Sequence, residues 1–487
     1  MLCIENGENG QQQNSGDEQE MVSRDMHAGA CFDSLPADLI QRIAALIPNT
    51  NDKEGRRARH NLHIVCKRFN EALREPCEVW SYLQLHARSL SKCQPWFVNW
   101  LRPRAAAIHT LDATFSSDDS HRLELLLSLL GRTLQDLRLR SDTTDVVFGS
   151  SHISQPVLSH LACCPRLKRL TVSSAELMSV DLGALRFLDQ LQEVSLTSKY
   201  DNTHHALPEP LLCLGQLRSL HIRFPSLTSI QGAVSKLTAL QRLRIEGLQG
   251  SLSIEPGLGQ LGSLQSLTFK DCSWLGDLSP NAPSWCPSLS GLTSLTELVF
   301  NHCPQLNTVP DAVCELTALR RLVLSTEAGV WGGEHARRRS TDLQVPDNLG
   351  RLTNLRTLVV GLKTVKAIPE PILQLTGLES LAITFCKLQR LPASVAAMRN
   401  LRTLCLQGNP GLAIQESEEW AQMGCLETLT LSDIANLSPK SSFLAIARLP
   451  ALMRVSLKGS MPADSQSFKT LLRLSNELGA RGIPVES

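Results

Sequence analysis

One spacing of apolar residues dominates this sequence and returns thirteen times between residues 134 and 457. Each copy has an apolar residue, two others, a second apolar residue, one other, and a third apolar residue. Most copies start 23–26 residues after the previous one, and three longer spacings mark insertions. Such regularity predicts a stacked array of equivalent units rather than a domain with one central core. The copies begin at Leu134, Leu167, Leu191, Leu217, Leu240, Leu264, Leu295, Leu319, Leu355, Leu378, Leu401, Leu426 and Leu452.

A single copy is too small to bury its own apolar side, so the copies must stack to form a continuous core. The pattern resembles leucine-rich repeats. Segments such as "TVPDAVCELTALRRLVL" resemble the plant-type and bacterial kinds, in which Pro310, Pro369 and Pro392 fix the chain as it leaves the strand side. We therefore expect an α/β leucine-rich-repeat solenoid of about thirteen repeats over residues 134–459, with a parallel sheet on its concave side.

Just beyond the last apolar residue of several copies lies a side chain that can donate to backbone carbonyls where the chain turns. A structural ladder of this kind is predicted for Cys272, Cys303, Cys386 and Asn409, whereas Lys363 and Ser460 interrupt it.

The ends of a solenoid need caps. Residues 87–133 are expected to form an N-terminal cap with an irregular first repeat. Residues 460–487 are expected to form a capping helix that Ser465 or Ser467 begins and Gly479 ends, because its sequence supplies both capping residue types. Its apolar face is predicted to consist of Phe468, Leu471, Leu472 and Leu478.

The bulk properties narrow the class of partner. Forty-eight basic and 47 acidic residues give a formal net charge of +1, so global charge points neither to nucleic acid nor to a membrane surface. No window approaches the roughly 20 apolar residues of a membrane span, and residues 1–20 have no apolar signal region. We expect a cytoplasmic or nuclear protein whose 15 cysteines are reduced, with a disordered acidic tail over residues 1–30.

Residues 31–86 are left over by the repeats and read as a small helical module. Leu39, Ile43 and Leu46 share one side of a first helix that Pro48 ends, and a later helix carries the Val-Cys-Lys-Arg-Phe run of residues 65–69 before Trp80. About 50 residues make a poor independent core, so such a module needs a partner or a neighbour. A structure that only closes the solenoid is the simpler alternative.

The order of these elements resembles the F-box, and their position before the repeats resembles F-box/leucine-rich-repeat proteins. In that family the F-box binds a Skp-type adaptor, which links to a cullin ubiquitin ligase, and the solenoid binds the target protein. One departure is that the stretch between Pro48 and Val65 is several residues longer than usual, which concerns residues 49–62. The resemblance implies adaptor contacts for Leu35, Pro36, Leu39, Ile43, Pro48, Val65, Cys66, Lys67 and Phe69.

Catalytic motifs are missing from the sequence. It contains no phosphate-binding P-loop and no kinase signature set, and no cysteine pair has zinc-ligand spacing. We therefore expect a chain that is not an enzyme, with no cofactor and no metal. Two alternatives to a ligase subunit stay open: a stand-alone leucine-rich-repeat interaction scaffold, and a bacterial effector that borrows a host ligase.

The side chains between the apolar positions are expected to leave the concave face. They are basic in the first half, with Arg138, Arg140 and Arg169, diluted by Glu193, Glu246 and Asp271. In the second half they are mostly neutral. Because neighbouring strands lie about 4.8 Å apart, the central cations are predicted to converge on an acidic or phosphorylated segment of the target protein, or on an anionic small molecule. The predicted substrate-binding residues are His221, Arg223, Arg242, Arg244 and Lys270.

Overall fold

The structure is a computed structural model, and it describes most of the chain from residue 81 onward as two compact units, unit 1 up to residue 200 and unit 2 from residue 201. The described residues are 81–85, 98–99, 101–141, 153–175, 177, 181–199, 205–250, 252–272, 287–303, 309–325, 345–361, 365–414, 422–434, 438–439, 441–462 and 464–486.

In the described part of unit 1, five parallel strands pair in chain order. Short return segments connect them, including helices α1 (Ser120–Leu130) and α2 (Gln155–Ser159). Apolar side chains of the strands and of α1 are buried against each other, which gives the unit its core. The strands are β1 (Tyr82–Leu85), β2 (Thr110–Phe115), β3 (Asp136–Ser141), β4 (Arg169–Ser174) and β5 (Glu193–Ser198).

The start of the sheet differs from the sequence-based interpretation. Strand β1 lies inside the range assigned to the helical module, and β2 with α1 makes a full strand-and-helix repeat inside the range assigned to an irregular cap. Sequence spacing missed both strands because β2 has the small Ala113 at the third apolar position and β1 has no preceding copy to set its phase.

The described part of unit 2 contains eleven more strands of this kind, each paired in parallel with its neighbours. We call them, with β1 to β5, strands of the main type. Two small groups of two-residue strands, β7 with β9 and β15 with β17 and β19, lie on the return segments. In chain order the strands are β6 (Ser219–Arg223), β7 (Ser229–Ile230), β8 (Arg242–Glu246), β9 (Ser253–Ile254), β10 (Ser266–Lys270), β11 (Glu297–Asn301), β12 (Arg321–Ser325), β13 (Thr357–Gly361), β14 (Ser380–Ile383), β15 (Arg390–Leu391), β16 (Thr403–Cys405), β17 (Ala413–Ile414), β18 (Thr428–Thr430), β19 (Ser438–Pro439), β20 (Arg454–Ser456) and β21 (Val485–Glu486).

All thirteen sequence copies form a strand of the main type, so the repeat and its parallel sheet are confirmed. The return segments are mostly short 3-10 turns, and Pro310, Pro369 and Pro392 stand directly before the turns that follow them, as predicted. Three single-turn helices, α3 (Glu209–Leu212), α4 (Pro287–Ser290) and α5 (Glu370–Leu373), complete the returns.

The predicted ladder joins each copy to the one before it. The thiols of Cys272, Cys303 and Cys386 donate to the carbonyls of Ile245, Phe269 and Val360 at 3.7–3.8 Å. Asn409 donates through Nδ2 to the Ile383 carbonyl at 2.7 Å. These side chains are structural, because each one satisfies a carbonyl at a strand end that is otherwise buried.

Two parts of the ladder differ from the prediction. The Ser460 hydroxyl donates to the Leu431 carbonyl and accepts from the Ile434 amide at 3.1 Å, so this copy is not interrupted. In unit 1 the buried hydroxyls of Ser141, Ser174 and Ser198 accept backbone N–H groups at 3.2–3.3 Å. Sequence reasoning missed them because the strands of unit 1 are a residue longer, which moves the ladder side chain one position earlier.

The C-terminal helix α6 (Ser465–Gly479) is present and ends at the predicted glycine. Its N-cap is Asp464, whose carboxylate accepts the Ser467 amide at 2.7 Å, rather than either predicted serine. The apolar face also differs, since Phe468 and Leu472 are 55% and 52% exposed. The buried side of α6 consists of Ser467, Thr470, Leu474 and Leu478.

Within the ranges that the structure describes, no helix has the length and apolar character needed to cross a membrane.

Candidate binding surface on the strands

One side of each main strand faces the return segments and the other side does not; we call the second side the open face. In β8, Leu243 and Ile245 are buried in the core, whereas Arg242 and Arg244 are exposed on the open face. The alternation follows from the two-residue period of a strand. The open face therefore carries the side chains that a partner can reach.

The five predicted substrate-binding residues all lie on the open face of three adjacent strands. His221 on β6 lies beside Arg244 on β8. Arg242 is flanked by serines on both neighbouring strands, and Lys270 on β10 lies beside Glu246. The repeat spacing thus correctly predicted that these residues lie close together. It did not predict how the carboxylate of Glu246 is placed among them.

Glu246 occupies the centre of this group and is only 6% exposed. Arg244 donates through Nε to Glu246 Oε1 at 2.5 Å, His221 Nε2 lies 3.5 Å from Oε2, and Lys270 Nζ lies 3.9 Å from Oε1. Burial raises the pKa of the Glu246 carboxyl, but the contacts with His221 and Arg244 outweigh burial and lower the pKa to about 2. Three of the five predicted residues therefore lie around an anion of this chain. Binding of an external anion by the group stays a prediction.

The network continues to the next strand. Lys270 Nζ lies 3.6 Å from the Asp271 carboxylate, and Asp271 Oδ1 lies 3.0 Å from Nδ1 of His302. Asp271 and His302 follow their strands with positive φ angles of 53° and 55°. Sequence reasoning took Asp271 as a diluting charge and missed His302, although both stand two residues beyond the last apolar residue of a copy.

Two of the predicted cations remain outside this network. Arg242 Nε donates to the Ser219 hydroxyl at 3.4 Å. Arg223 is exposed and lies along Gly247, where a Cβ would come within 3.0 Å of Arg223 Nε. No described residue gives Arg223 an ion-pair or hydrogen-bond partner. Arg223 is therefore the predicted cation best placed to meet an anionic group of a partner.

The basic residues predicted in unit 1 are neutralised as well. Arg138 donates to both oxygens of Asp136 at 3.3 and 2.8 Å, and Arg169 donates to the same carboxylate at 3.1 Å. Arg140 donates to Asp112 at 3.1 Å. The two aspartates are each 2% exposed. Both aspartates occupy positions between the apolar residues of their strands, which the repeat pattern assigns to the open face. Sequence reasoning did not name them because it considered mainly the cations at these positions.

Asp112 also accepts the Tyr82 hydroxyl at 3.0 Å. Burial and the neighbouring Asp112 charge raise the pKa of Tyr82 to about 12. The open face of unit 1 is thus a set of internally satisfied ion pairs rather than an uncompensated basic surface.

The predicted adaptor contacts lie outside the described residues. They are Leu35, Pro36, Leu39, Ile43, Pro48, Val65, Cys66, Lys67 and Phe69. Among the residues that the structure covers, no group of three or more His, Cys, Asp or Glu side chains is arranged to hold a metal ion.

Comparison with known proteins shows the fold. A leucine-rich-repeat protein of Leptospira interrogans superposes with a TM-score of 0.53 at 18% identity, covering 83% of this chain and 95% of that one. A chain of the Toll–Spatzle complex of Drosophila also gives 0.53 at 17% identity, covering 78% of this chain and 46% of that one. No protein-family model and no curated protein matches the sequence. The chain has a leucine-rich-repeat solenoid fold.

Proposed function

We propose that this chain is a non-catalytic recognition subunit that binds a target protein on the open face of its solenoid. The observation that carries the proposal is the open face of unit 2, where polar, charged and apolar side chains of successive strands stand in register and partly exposed. One of the solved neighbours with this fold is itself a complex, Toll with Spatzle. A protein partner fits such a surface because its side chains vary from strand to strand and can match an extended interface.

We further propose that residues 31–86 bind a Skp-type adaptor, and through it a cullin, in the cytoplasm or nucleus. The support is the resemblance of the Leu-Pro start, the apolar first helix and the Val-Cys-Lys-Arg-Phe run to the F-box. In this proposal the chain makes no bonds itself and brings its target to a Skp–cullin–F-box E3 ubiquitin ligase.

The double substitution Leu35→Ala with Pro36→Ala tests the adaptor role. Burial of a leucine stabilises an interface by about 1.5–3 kcal/mol, so losing two apolar contacts is expected to weaken adaptor capture by roughly a hundredfold. The measurement is co-purification of the Skp-type adaptor and cullin with the full chain, followed by titration of purified adaptor.

Leu125→Ala is the control, because Leu125 is an exposed leucine on α1 in unit 1, outside the F-box segment. It should leave capture unchanged. Capture of adaptor by the double variant at wild-type strength contradicts the F-box role. Wild-type chain that binds no adaptor at all favours a stand-alone scaffold instead.

A further inference from the structure

The central row of the open face changes character along unit 2. Register joins one residue from each strand into this row, which begins with His221 and Arg244 and passes through Thr268. It then runs through five apolar residues before Thr430. We call the five the apolar stripe; they are Val299, Val323, Val359, Ala382 and Cys405.

The apolar stripe lies on the side of the sheet where polar side chains are expected. Val299, Val359, Ala382 and Cys405 are partly exposed, and Val323 is buried between its neighbours. Four strand spacings of about 4.8 Å separate the first from the last, so the stripe is about 19 Å long. A contiguous apolar strip of this kind on a soluble surface marks an interaction site more often than scattered single residues do.

The rows on either side of the stripe are polar and mostly uncharged. Thr357, Ser380 and Thr403 line one side, and Thr384 lies on the other. The charges nearest the stripe, Glu297 and Arg321, pair with each other at 3.0 Å. Hydroxyl groups both donate and accept hydrogen bonds, so they can satisfy the backbone of a segment lying over the stripe.

The open face of β6, β8 and β10 carries several cations, most of which have partners in this chain. Arg244 and Lys270 lie against Glu246 and Asp271, and Arg242 donates to Ser219. Arg223 is exposed and has no polar partner among the described residues. A partner that reaches this end gains from carrying negative charge.

We propose that an extended segment of a protein partner lies across the strands of unit 2, with acidic side chains over Arg223 and small apolar side chains on the apolar stripe. This inference rests on the proposed recognition function and specifies its partner. Arg223 and Val299, the first residue of the stripe, lie on strands three spacings apart, about 14 Å across the sheet. An extended chain covers that distance in about four residues, which sets the spacing between the acidic and apolar parts.

The segment crosses the strands rather than adding to the sheet. Strands β8, β10, β11, β12, β13, β14 and β16 are each paired on both sides, so they offer no free backbone edge. Recognition therefore depends on side chains of the open face, unlike strand addition, in which main-chain hydrogen bonds provide the affinity.

Designed peptides test the spacing. The probe is a fluorescently labelled peptide titrated by anisotropy into the full chain. It has a pair of glutamates, a neutral spacer of about four residues, and an Ala-Val-Ala-Val-Ala-Val run, because about six extended residues cover the whole stripe. Controls are a scrambled peptide of the same composition and peptides with no spacer or twice the spacer. We expect the four-residue spacer to bind most tightly, and equal binding of the scrambled peptide overturns the inference, as does the absence of binding by every peptide.

Matched variants locate the bound peptide. Ala382→Lys places a charge in the stripe and is expected to raise the Kd about tenfold or more, because a buried unpaired charge is costly. Ala397→Lys makes the same change on an exposed return turn and should have no effect. Arg223→Glu should weaken binding at low salt and less at high salt, whereas Lys236→Glu, on another return turn, should not.

Alkylation of Cys405 gives an independent readout. Burial raises the pKa of the Cys405 thiol, so the reaction is run at about pH 8.5 to supply thiolate. Bound peptide should slow alkylation of Cys405 and leave the exposed Cys213 and Cys425 unchanged. No protection of Cys405, or an unaltered Kd in Ala382→Lys, overturns the inference.

Two further outcomes separate this inference from the proposed function. Concentration-dependent self-association that Ala382→Lys abolishes, without peptide binding, assigns the stripe to a second copy of this chain and overturns the peptide proposal. Adaptor capture is measured on every variant. If the wild-type chain binds the peptide but captures no adaptor, the ligase role is contradicted and the peptide site is supported. If it captures the adaptor but binds no peptide, the ligase role is supported and the peptide site is contradicted.

Discussion

At the residue scale, buried charge is the feature that most changes the meaning of the open face. Glu246 turns a run of cations into a compensated network, and Asp112 and Asp136 do the same in unit 1. Removing one partner from such a group leaves the others uncompensated, which costs more than the ion pair contributes. The cations could be identified from the sequence because they recur at equivalent positions of successive copies. Their ion pairs with Glu246, Asp112 and Asp136 could not, because these depend on which side chains of neighbouring strands lie side by side.

Glu246 predicts a specific acid sensitivity. Its usual pKa of 4.5 is lowered to about 2 in the folded chain. A group with a depressed folded pKa stabilises the fold above its unfolded pKa, and that stability is lost as the pH falls toward the folded value. Glu246→Gln should therefore lower the urea midpoint at neutral pH, with the difference from wild type shrinking as the pH falls from about 4.5 toward 2. A difference that stays constant over this range contradicts the assignment.

At the element scale, the residue two positions beyond the last apolar residue of a copy sets the geometry of unit 2. Asp271, His302, Phe385 and Asp433 have φ angles of 53–56° there, and Gly247, Gly408 and Gly459 hold the same position at 70–71°. Positive φ is unusual for residues other than glycine and costs most for a bulky one such as Phe385. In five of these seven copies the next residue is the ladder side chain, and the turn directs it at the carbonyl of the preceding copy.

Gly408 provides the test at this scale. A Cβ there would lie 2.4 Å from Cδ1 of Phe385, and φ is +70°. Gly408→Ala should destabilise the chain by about 1 kcal/mol or more, from the backbone conformation and the displaced ring together. Gly424→Ala is the matched control, because nothing lies within 4 Å and no positive φ is involved. Chemical denaturation compares the two, and equal midpoints would rule out the strain.

The elements that could be predicted from the sequence are those fixed by residue type and spacing within a single copy. The strands of all thirteen copies, the prolines before the return turns and the Cys and Asn ladder follow from spacing and residue type. Asp464 as the cap of α6 and the serines of unit 1 did not, because both depend on where an element begins or ends. The exposed Phe468 and Leu472 show the same limit, since a helix pattern does not identify which side meets the solenoid.

At the scale of the whole molecule, adaptor binding and target binding are proposed for separate parts of the chain. Substitutions on the open face should then change target binding alone, and substitutions in the F-box segment should change adaptor binding alone. Arg223→Glu is expected to weaken the binding of acidic partners while adaptor capture persists, and Leu35→Ala with Pro36→Ala to do the opposite. Both activities are measured on both variants by co-purification, and loss of both in either folded variant contradicts the separation.

The ladder has a mechanical consequence. In unit 2 the ladder hydrogen bonds of Cys303 and Asn409 link neighbouring copies, and strand pairing does the same. Tension applied to the two ends of this unit therefore separates neighbouring copies one after another, instead of breaking the hydrogen bonds of many strands at once. Each copy that opens releases about 24 residues, roughly 80 Å of extended chain. Such a unit is expected to unfold under force in small, repeated steps. A partner that contacts several copies would hold them together and raise the force needed to unfold them.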